Sequence, residues 1–430
     1  MMGKKTIIQF VLSGFASVIA FIALSLSARF FGPAIIGQIA YLTGLLGLVF
    51  GFSDLGLSRT HVHYTASLAN AKTTLGVLLS LKLPLLIICG LASLVLGKVA
   101  GQASLIFLIL IFNEVFSRLA DSLLVTFEGQ EKVIPQNLLR LAVKLVKLLA
   151  IIAIGLTLKT AFGFSLTLII ESATILLLSI WLCRRFLPLA FNRGLAKDYL
   201  IYSLPFFLVM PLSYFQDNGL VLIIRHFWAA RELGFYSASL GLFGFLKDFS
   251  GALMIFFFPA ISRLFSHKDF PAIQNYTDLA VKFSFWLLLP LLTIVFLLRH
   301  WLILIALGSQ FLPAVPVFSW LLLGVLILAV FSPYSYVLYA TRNHRAIVWV
   351  NLLTTILVLS LSWLIVPRFG GSGAAVAAVI GWLVGSLIQL EILHRRTGIN
   401  FCWDLSLKRK EVKYLRELIY SFSKTSIRTG

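Results

Sequence analysis

Charge is scarce in these 430 residues: 12% are Asp, Glu, Lys or Arg, and 16 acids stand against 36 bases. A soluble domain carries about 25% charged residues, so this chain, 60% hydrophobic with a mean hydropathy of +0.98, belongs to the membrane class. Cysteine is almost absent. Cys89, Cys183 and Cys402 are far apart and lack metal or redox spacing, which excludes a disulfide framework and a thiolate metal site. His61 and His63 have no partner at ligand spacing, so they read as a solvated loop pair and no metal is expected. No Gly-rich phosphate loop is present, which argues against direct use of ATP; no cofactor is expected. Long polar loops are missing too, and with them the room for an extramembrane sugar site and a clustered acid pair. That weighs against a membrane glycosyltransferase or polysaccharide polymerase.

What is present is a series of apolar runs of spanning length, at about 7–28, 35–53, 74–96, 103–127, 138–158, 162–183, 200–224, 234–258, 278–298, 314–340, 346–366 and 373–394. The expectation is an all-α integral membrane protein of about twelve transmembrane helices. The first run exceeds the roughly 7–15 residues of a signal-peptide core, so it reads as an uncleaved helix despite the Ser27-Ala28 pair near its end. Twelve spans put both termini on one side, called inner below. Its breaks hold eleven Lys and Arg, from Arg59 to Arg345, with nine more in the tail; the outer breaks hold seven, from Arg29 to Arg368. By the positive-inside rule the inner side is the cytoplasm, and the net charge of +20 speaks for anionic lipid rather than nucleic acid.

The longest polar break, 184–198, divides the spans six and six. The expected organisation is a six-helix bundle over 1–183, a cytoplasmic linker over 184–198, a second bundle over 199–396 and a basic cytoplasmic tail over 397–430. The tail stretch LSLKRKEVKYLRELIYSFSKTSIRTG reads as a short amphipathic helix at the inner leaflet. Gly37, Gly44, Leu45 and Gly47 recur as Gly234, Gly241, Leu242 and Gly244 at a constant offset of 197, and the Asn-Leu-Leu of QNLLRL recurs in VNLLTT. The repeat points to a duplicated unit whose halves rock about a central site.

Ionisable residues inside spans are expensive and mark function by default. In LLRLAVKLVKLLAIIAIGL the cations Arg140, Lys144 and Lys147 follow at spacings of four and three, sharing one helix face. The apolar run between Lys147 and Lys159 is too short to span, so the stripe lies within the membrane. The fourth run carries Glu114, Arg118 and Asp121; Lys82, Lys247, Asp248 and Lys282 add to the set, with Glu171 and Asp217 among the few acids. Two readings stand. Glu114 and Asp121 neutralise part of the stripe across a helix contact while Arg140 snorkels inward, or the stripe lines a wet cavity built for an anion such as phosphate.

ARFFGPAIIGQIAY and FSDLGLSR, bracketing the second run, resemble the opening of Wzx-type polysaccharide flippases, in which an Ala-Arg-x-x-Gly-Pro-x-x-x-Gly run precedes an Asp-Leu-Gly-Leu turn. YSLPFFLVMPLSYFQDNGLVLI, ELGFYSASLGL and FFPAISRLFS follow in the expected order. Phe30-Phe31 departs from the usual pair, and TFEGQEK is acidic where many relatives are basic. Such proteins form a branch of the multidrug/oligosaccharidyl-lipid/polysaccharide (MOP) exporter superfamily. The resemblance implies two pseudo-symmetric six-helix bundles around a cationic cavity in the cell (inner or plasma) membrane. The implied substrate is an oligosaccharide on a polyprenyl pyrophosphate, with membrane lipids, a polysaccharide polymerase and glycosyltransferases as partners. Arg29 matches the family's first-helix arginine; Gly32, Pro33, Gly37, Asp54 and Gly56 match its structural motifs. The cavity candidates are Arg29, Arg118, Arg140, Lys144, Lys147 and Lys247, and those for ion coupling are Glu171, Asp217 and Asp248. A lipid II flippase of the superfamily usually has fourteen helices; a cation-coupled drug antiporter needs a first-helix carboxylate, and no acid precedes Asp54.

Overall fold

The computed structural model is described over residues 2–406, except 69, 131, 187, 208, 267–268 and 341–343, and is helical throughout its regular parts. The first half holds α1 (Met2–Phe50), α2 (Leu57–Leu68), α3 (Ala71–Val99), α4 (Leu105–Gly129), α5 (Val133–Thr157) and α6 (Ala161–Cys183). The second holds α7 (Arg193–Ser203), α8 (Val209–Phe227), α9 (Ala230–Ser266), α10 (Phe270–Leu297), α11 (Arg299–Ala306), α12 (Val315–Ala340) and α13 (His344–Thr397). The polar breaks supply the starts: the side chains of Asn70, Ser104, Thr160, Asn192 and Asp269 each accept a backbone N–H of the helix that follows.

At about 1.5 Å per residue, the 49 residues of α1 and the 54 of α13 would each exceed twice the roughly 30 Å of a bilayer core. Both break at a glycine. Gly32 takes φ +70°, open to a residue without Cβ, and Pro33 after it cannot continue the hydrogen-bond ladder. Gly370 takes φ +56°, and the helix resuming beyond it is met by a carboxylate: Gly371 N–H donates to Glu232 Oε1 at 2.9 Å. Counting α1 and α13 twice and leaving out the short α2, α7 and α11 gives the expected twelve spans. Six stretches qualify as spans by length and composition alone among the described residues. α4 and α5 miss that set because each carries at least three charges in any spanning window.

Two boundaries differ from the sequence reading. The run at 200–224 is the end of α7, a tight turn at Leu204–Phe206 with Pro205, and only then α8. The break at 184–198 includes the start of α7, which docks beneath the first bundle. There Tyr199 is buried against His61 of α2, whose Nδ1 lies 3.1 Å from the Tyr199 hydroxyl and whose Nε2 lies 2.9 Å from Thr126 of α4. Burial pushes this imidazole down to about 3, so it stays neutral. Residues 398–406 are non-helical, and the expected tail helix lies outside the described residues beyond 406.

The repeat reappears as a two-fold seam between bundles. Gly37 and Gly234, related by the offset of 197, meet: a Cβ on Gly37 would lie 1.7 Å from the Ala230 carbonyl oxygen, and one on Gly234 1.8 Å from that of Pro33. Lower down, Gly44 packs on Val221 and Gly241 on Leu24, again reciprocal under the same offset. The outer half of the molecule is therefore held by a self-complementary contact of α1 with α8 and α9. Its apolar filling is continuous, with Ala28 and Ile36 of α1 in one cluster with Leu233, Phe311 and Val317.

Candidate functional site

The charges of the first bundle come together where α4, α5 and α6 pack. Lys147 lies about 20 Å along α5 from its inner end, at mid-membrane depth. Glu171 of α6 sits between two ammonium groups, with Oε1 3.1 Å from Lys144 and Oε2 2.6 Å from Lys147. Arg140 reaches Asp121 at 3.3 Å, and Arg118 pairs with Glu114 of its own helix at 3.2 Å. Exposure falls with depth, from 43% for Arg140 to 22% for Lys147 and 20% for Glu171. Burial thus increases along the stripe, and contacts to an ion strengthen with it. Four cations face three carboxylates, leaving one positive charge in excess.

The neutralisation reading of the stripe holds in part. Asp121 does neutralise Arg140. Glu114 is spent on Arg118 at its own i+4 position, and Glu171, on a helix that reading did not consider, takes both lysines.

Arg118 also reaches across to the second bundle. Its Nη1 donates to the Tyr214 hydroxyl of α8 at 2.6 Å, and its Cζ lies 4.5 Å from that ring's centre. Below it, Lys82 of α3 is buried against Asp54, and donates to Ser58 at 2.8 Å and Ser122 at 3.1 Å. Ser122 in turn donates to the Arg118 carbonyl at 2.7 Å. Tyr214 was not among the sequence candidates, although its surroundings, SYFQDN within an apolar run, are the polar interruption that signals such a residue.

The other candidates lie elsewhere. Asp217, Lys247 and Asp248, on α8 and α9, are exposed. Asp217 feels the charge of Lys247, but none of the three has an ion pair among the described residues; Lys247 Nζ stands 5.8 Å from the centre of the Phe243 ring. Arg29 is at the outer end of α1, donating to the Ile305 carbonyl, next to Ser25, which donates to that of Ala306. Its guanidinium is directed to the 298–314 connection rather than to the stripe. Of the motif residues, Gly32 and Pro33 turn α1, Gly37 forms the seam, Asp54 neutralises Lys82, and Gly56 (φ +83°) lies in the turn into α2. Among the described residues no group of His, Cys, Asp and Glu is arranged to hold a metal.

The family profile described as "Polysaccharide biosynthesis protein" matches residues 26–316, two thirds of the chain. The chain belongs to that family. A second profile, "Lipid II flippase MurJ", matches residues 239–419 of the chain. No curated protein matches its sequence. Among solved structures it is similar to lipid II flippase MurJ in an inward closed conformation, at 13% identity over 98% of this chain and 99% of that one, with a TM-score of 0.75. It is also similar to an inward-facing multidrug resistance MATE family transporter of the MOP superfamily (12% identity, 91% and 98% coverage, TM-score 0.66). The bent form of the Vibrio cholerae MATE transporter VcmN gives 12% identity, 93% and 100% coverage and a TM-score of 0.58. The fold is that of the MOP superfamily, and the protein is a multi-pass membrane protein.

Proposed function

We propose that this protein is a Wzx-type flippase, which turns a polyprenyl-pyrophosphate-linked oligosaccharide from the cytoplasmic to the outer leaflet by alternating access, for cell-surface polysaccharide synthesis. The observation that carries the reading is the Lys144–Glu171–Lys147 group at mid-membrane depth in a member of a polysaccharide biosynthesis family. A pyrophosphate headgroup carries about two negative charges, and removing its water without replacement is prohibitive. Lys144 and Lys147 replace that water as point charges and Arg118 as a fork, while the prenyl chain stays in lipid.

Glu171 presets the site: as a carboxylate it holds both lysines in place, and an arriving headgroup competes with it for them. Outward movement of two negative charges is favoured by roughly 5 kcal/mol per 100 mV of inside-negative potential. Polymerase and glycosyltransferases act on either side of this step, in the inner membrane, with both termini of the flippase in the cytoplasm.

The test is the lipid that accumulates when the protein is deleted. A complete lipid-linked oligosaccharide on the cytoplasmic leaflet is expected, because assembly precedes transport; a lipid lacking a sugar would make the protein a glycosyltransferase instead. Reporter fusions at Gly194 and after Gly430 should report cytoplasm and one at Lys159 the exterior.

A second reading, a lipid II flippase, is favoured by the profile match over 239–419 and by the TM-score of 0.75 to MurJ. Rescue of cells depleted of their lipid II flippase decides for it. A drug antiporter has less support, since no acid precedes Asp54.

A further inference from the structure

The two outer seams are built alike and finished differently. On the first, α1 against α9, the outer end is covered by the connection 298–314, which contains α11. Arg29 and Ser25 donate to its carbonyls, Gln310 donates to the Ala28 carbonyl at 3.2 Å, and Phe311 is fully buried. On the second seam, α1 against α8, the equivalent connection between the third and fourth helices of the bundle is only 100–104. It does not fill the space. A cavity of about 530 Å³ remains, and Leu222, Ile223, Arg225 and His226 line it. These are the repeat counterparts, at the offset of 197, of Ser25, Leu26, Ala28 and Arg29, the stretch covered on the other seam.

The unfilled place carries specific chemistry. Arg225 replaces the small Ala28 of the other half; its Nη1 is steadied by the Trp228 carbonyl at 3.3 Å, and its Cζ lies 5.6 Å from the centre of the Tyr41 ring. No carboxylate pairs with it among the described residues. His226 stacks on Trp363 with ring centres 5.5 Å apart and planes 21° from parallel, and Gln102 adds an amide to the wall. A guanidinium with no acid takes a phosphate by its fork. Aromatic faces take the C–H face of a pyranose, and the amide takes a hydroxyl. The volume is that of a small-molecule site rather than of a water or an ion.

We infer that this cavity is an exit-side site for a sugar phosphate, with the phosphate on Arg225 and the sugar ring against Tyr41 and the His226–Trp363 pair. It rests on the flippase reading for its source: the headgroup of the lipid-linked saccharide as it leaves the central space. The cavity's lining residues Leu45 and Leu222 directly follow Gly44 and Val221, the contact that closes this seam.

The experiment uses the full chain in nanodiscs with N-acetylglucosamine 1-phosphate, inorganic phosphate and N-acetylglucosamine as soluble probes, read by saturation-transfer NMR and calorimetry. The sugar phosphate is expected to bind more tightly than either part. Arg225→Gln and Trp363→Ala should each weaken it tenfold or more, while Arg225→Lys and Trp363→Phe keep part of the binding and show that the fold is intact. The proposal is overturned if the sugar phosphate does not bind, if neither loss variant changes its affinity, or if phosphate alone binds as tightly and Trp363→Ala is silent. Failure of the flippase reading has a different mark, the absence of accumulated lipid-linked oligosaccharide in deleted cells, whatever the soluble probes do.

Discussion

The first bundle holds the charges of its cationic stripe in pairs, while in the second three charges of α8 and α9 stand apart. In the first, Glu171 is clamped by Lys144 and Lys147, Asp121 by Arg140 and Asp54 by Lys82. In the second, Asp217, Lys247 and Asp248 are exposed, without ion pairs among the described residues. The backbones, by contrast, obey one two-fold plan, down to reciprocal glycine contacts at the seam. The backbone plan repeats, whereas the pairing of these particular charges does not. On the proposed function, substrate charge would fall to the first bundle and ion coupling to Asp217 and Asp248 of the second.

The symmetric half of this comparison breaks most easily. Gly37→Leu and Gly234→Leu should each abolish folded protein in the membrane, measured by immunoblot and size-exclusion profile. A Cβ at either position meets a carbonyl oxygen at under 2 Å, and overpacking already costs about 1–3 kcal/mol where the neighbours are side chains. Gly244→Ala, with nothing within 4 Å of the new Cβ, should fold normally. If Gly37→Leu folds as well, the seam is not the contact that joins the bundles.

The charge asymmetry is sharpened next by comparing two acids. Glu171→Gln should leave protein level near normal and reduce translocation about tenfold, because the lysines lose the partner that presets them. Asp217→Asn, which breaks no ion pair, should change translocation less and shift its dependence on external pH. Equal effects of the two would erase the division between the bundles.

The smallest effect is expected where the connecting segment docks. His61 is buried with its titration pushed down to about 3 from 6.5, so the folded state resists the protonation that the unfolded chain accepts. The stability it contributes is complete above about pH 6.5 and is lost as pH falls from there toward 3. Thermal unfolding of the wild type should therefore weaken over that range more steeply than that of His61→Gln. Parallel pH curves would show that this histidine does not carry the docking of α7.

The twelve spans were legible because run length and polar punctuation are local properties of the sequence. α13 could be read as two helices, split at Arg368-Phe369-Gly370, for the same reason. The 204–206 turn was hidden, since hydropathy over 200–224 does not distinguish a helix from a turn followed by one. The offset of 197 was visible, but its meaning was not, because a repeat does not tell which copies touch. Charge pairing was the least legible part. Glu114 and Arg118 pair at a spacing any reader can count, whereas Glu171 meets Lys147 only through the packing of α5 on α6.

The central claim is that Lys144 and Lys147 are there for phosphate and not merely for Glu171. It is tested by measuring translocation of the lipid-linked oligosaccharide in Lys147→Ala and in the double variant Lys147→Ala with Glu171→Gln, at matched protein level in the membrane. The account predicts that the single variant, in which Glu171 still pairs with Lys144, loses translocation, and that the double variant, with Lys144 freed from Glu171, does not regain it. A double variant that translocates at the wild-type rate would contradict it and leave the ions as packing.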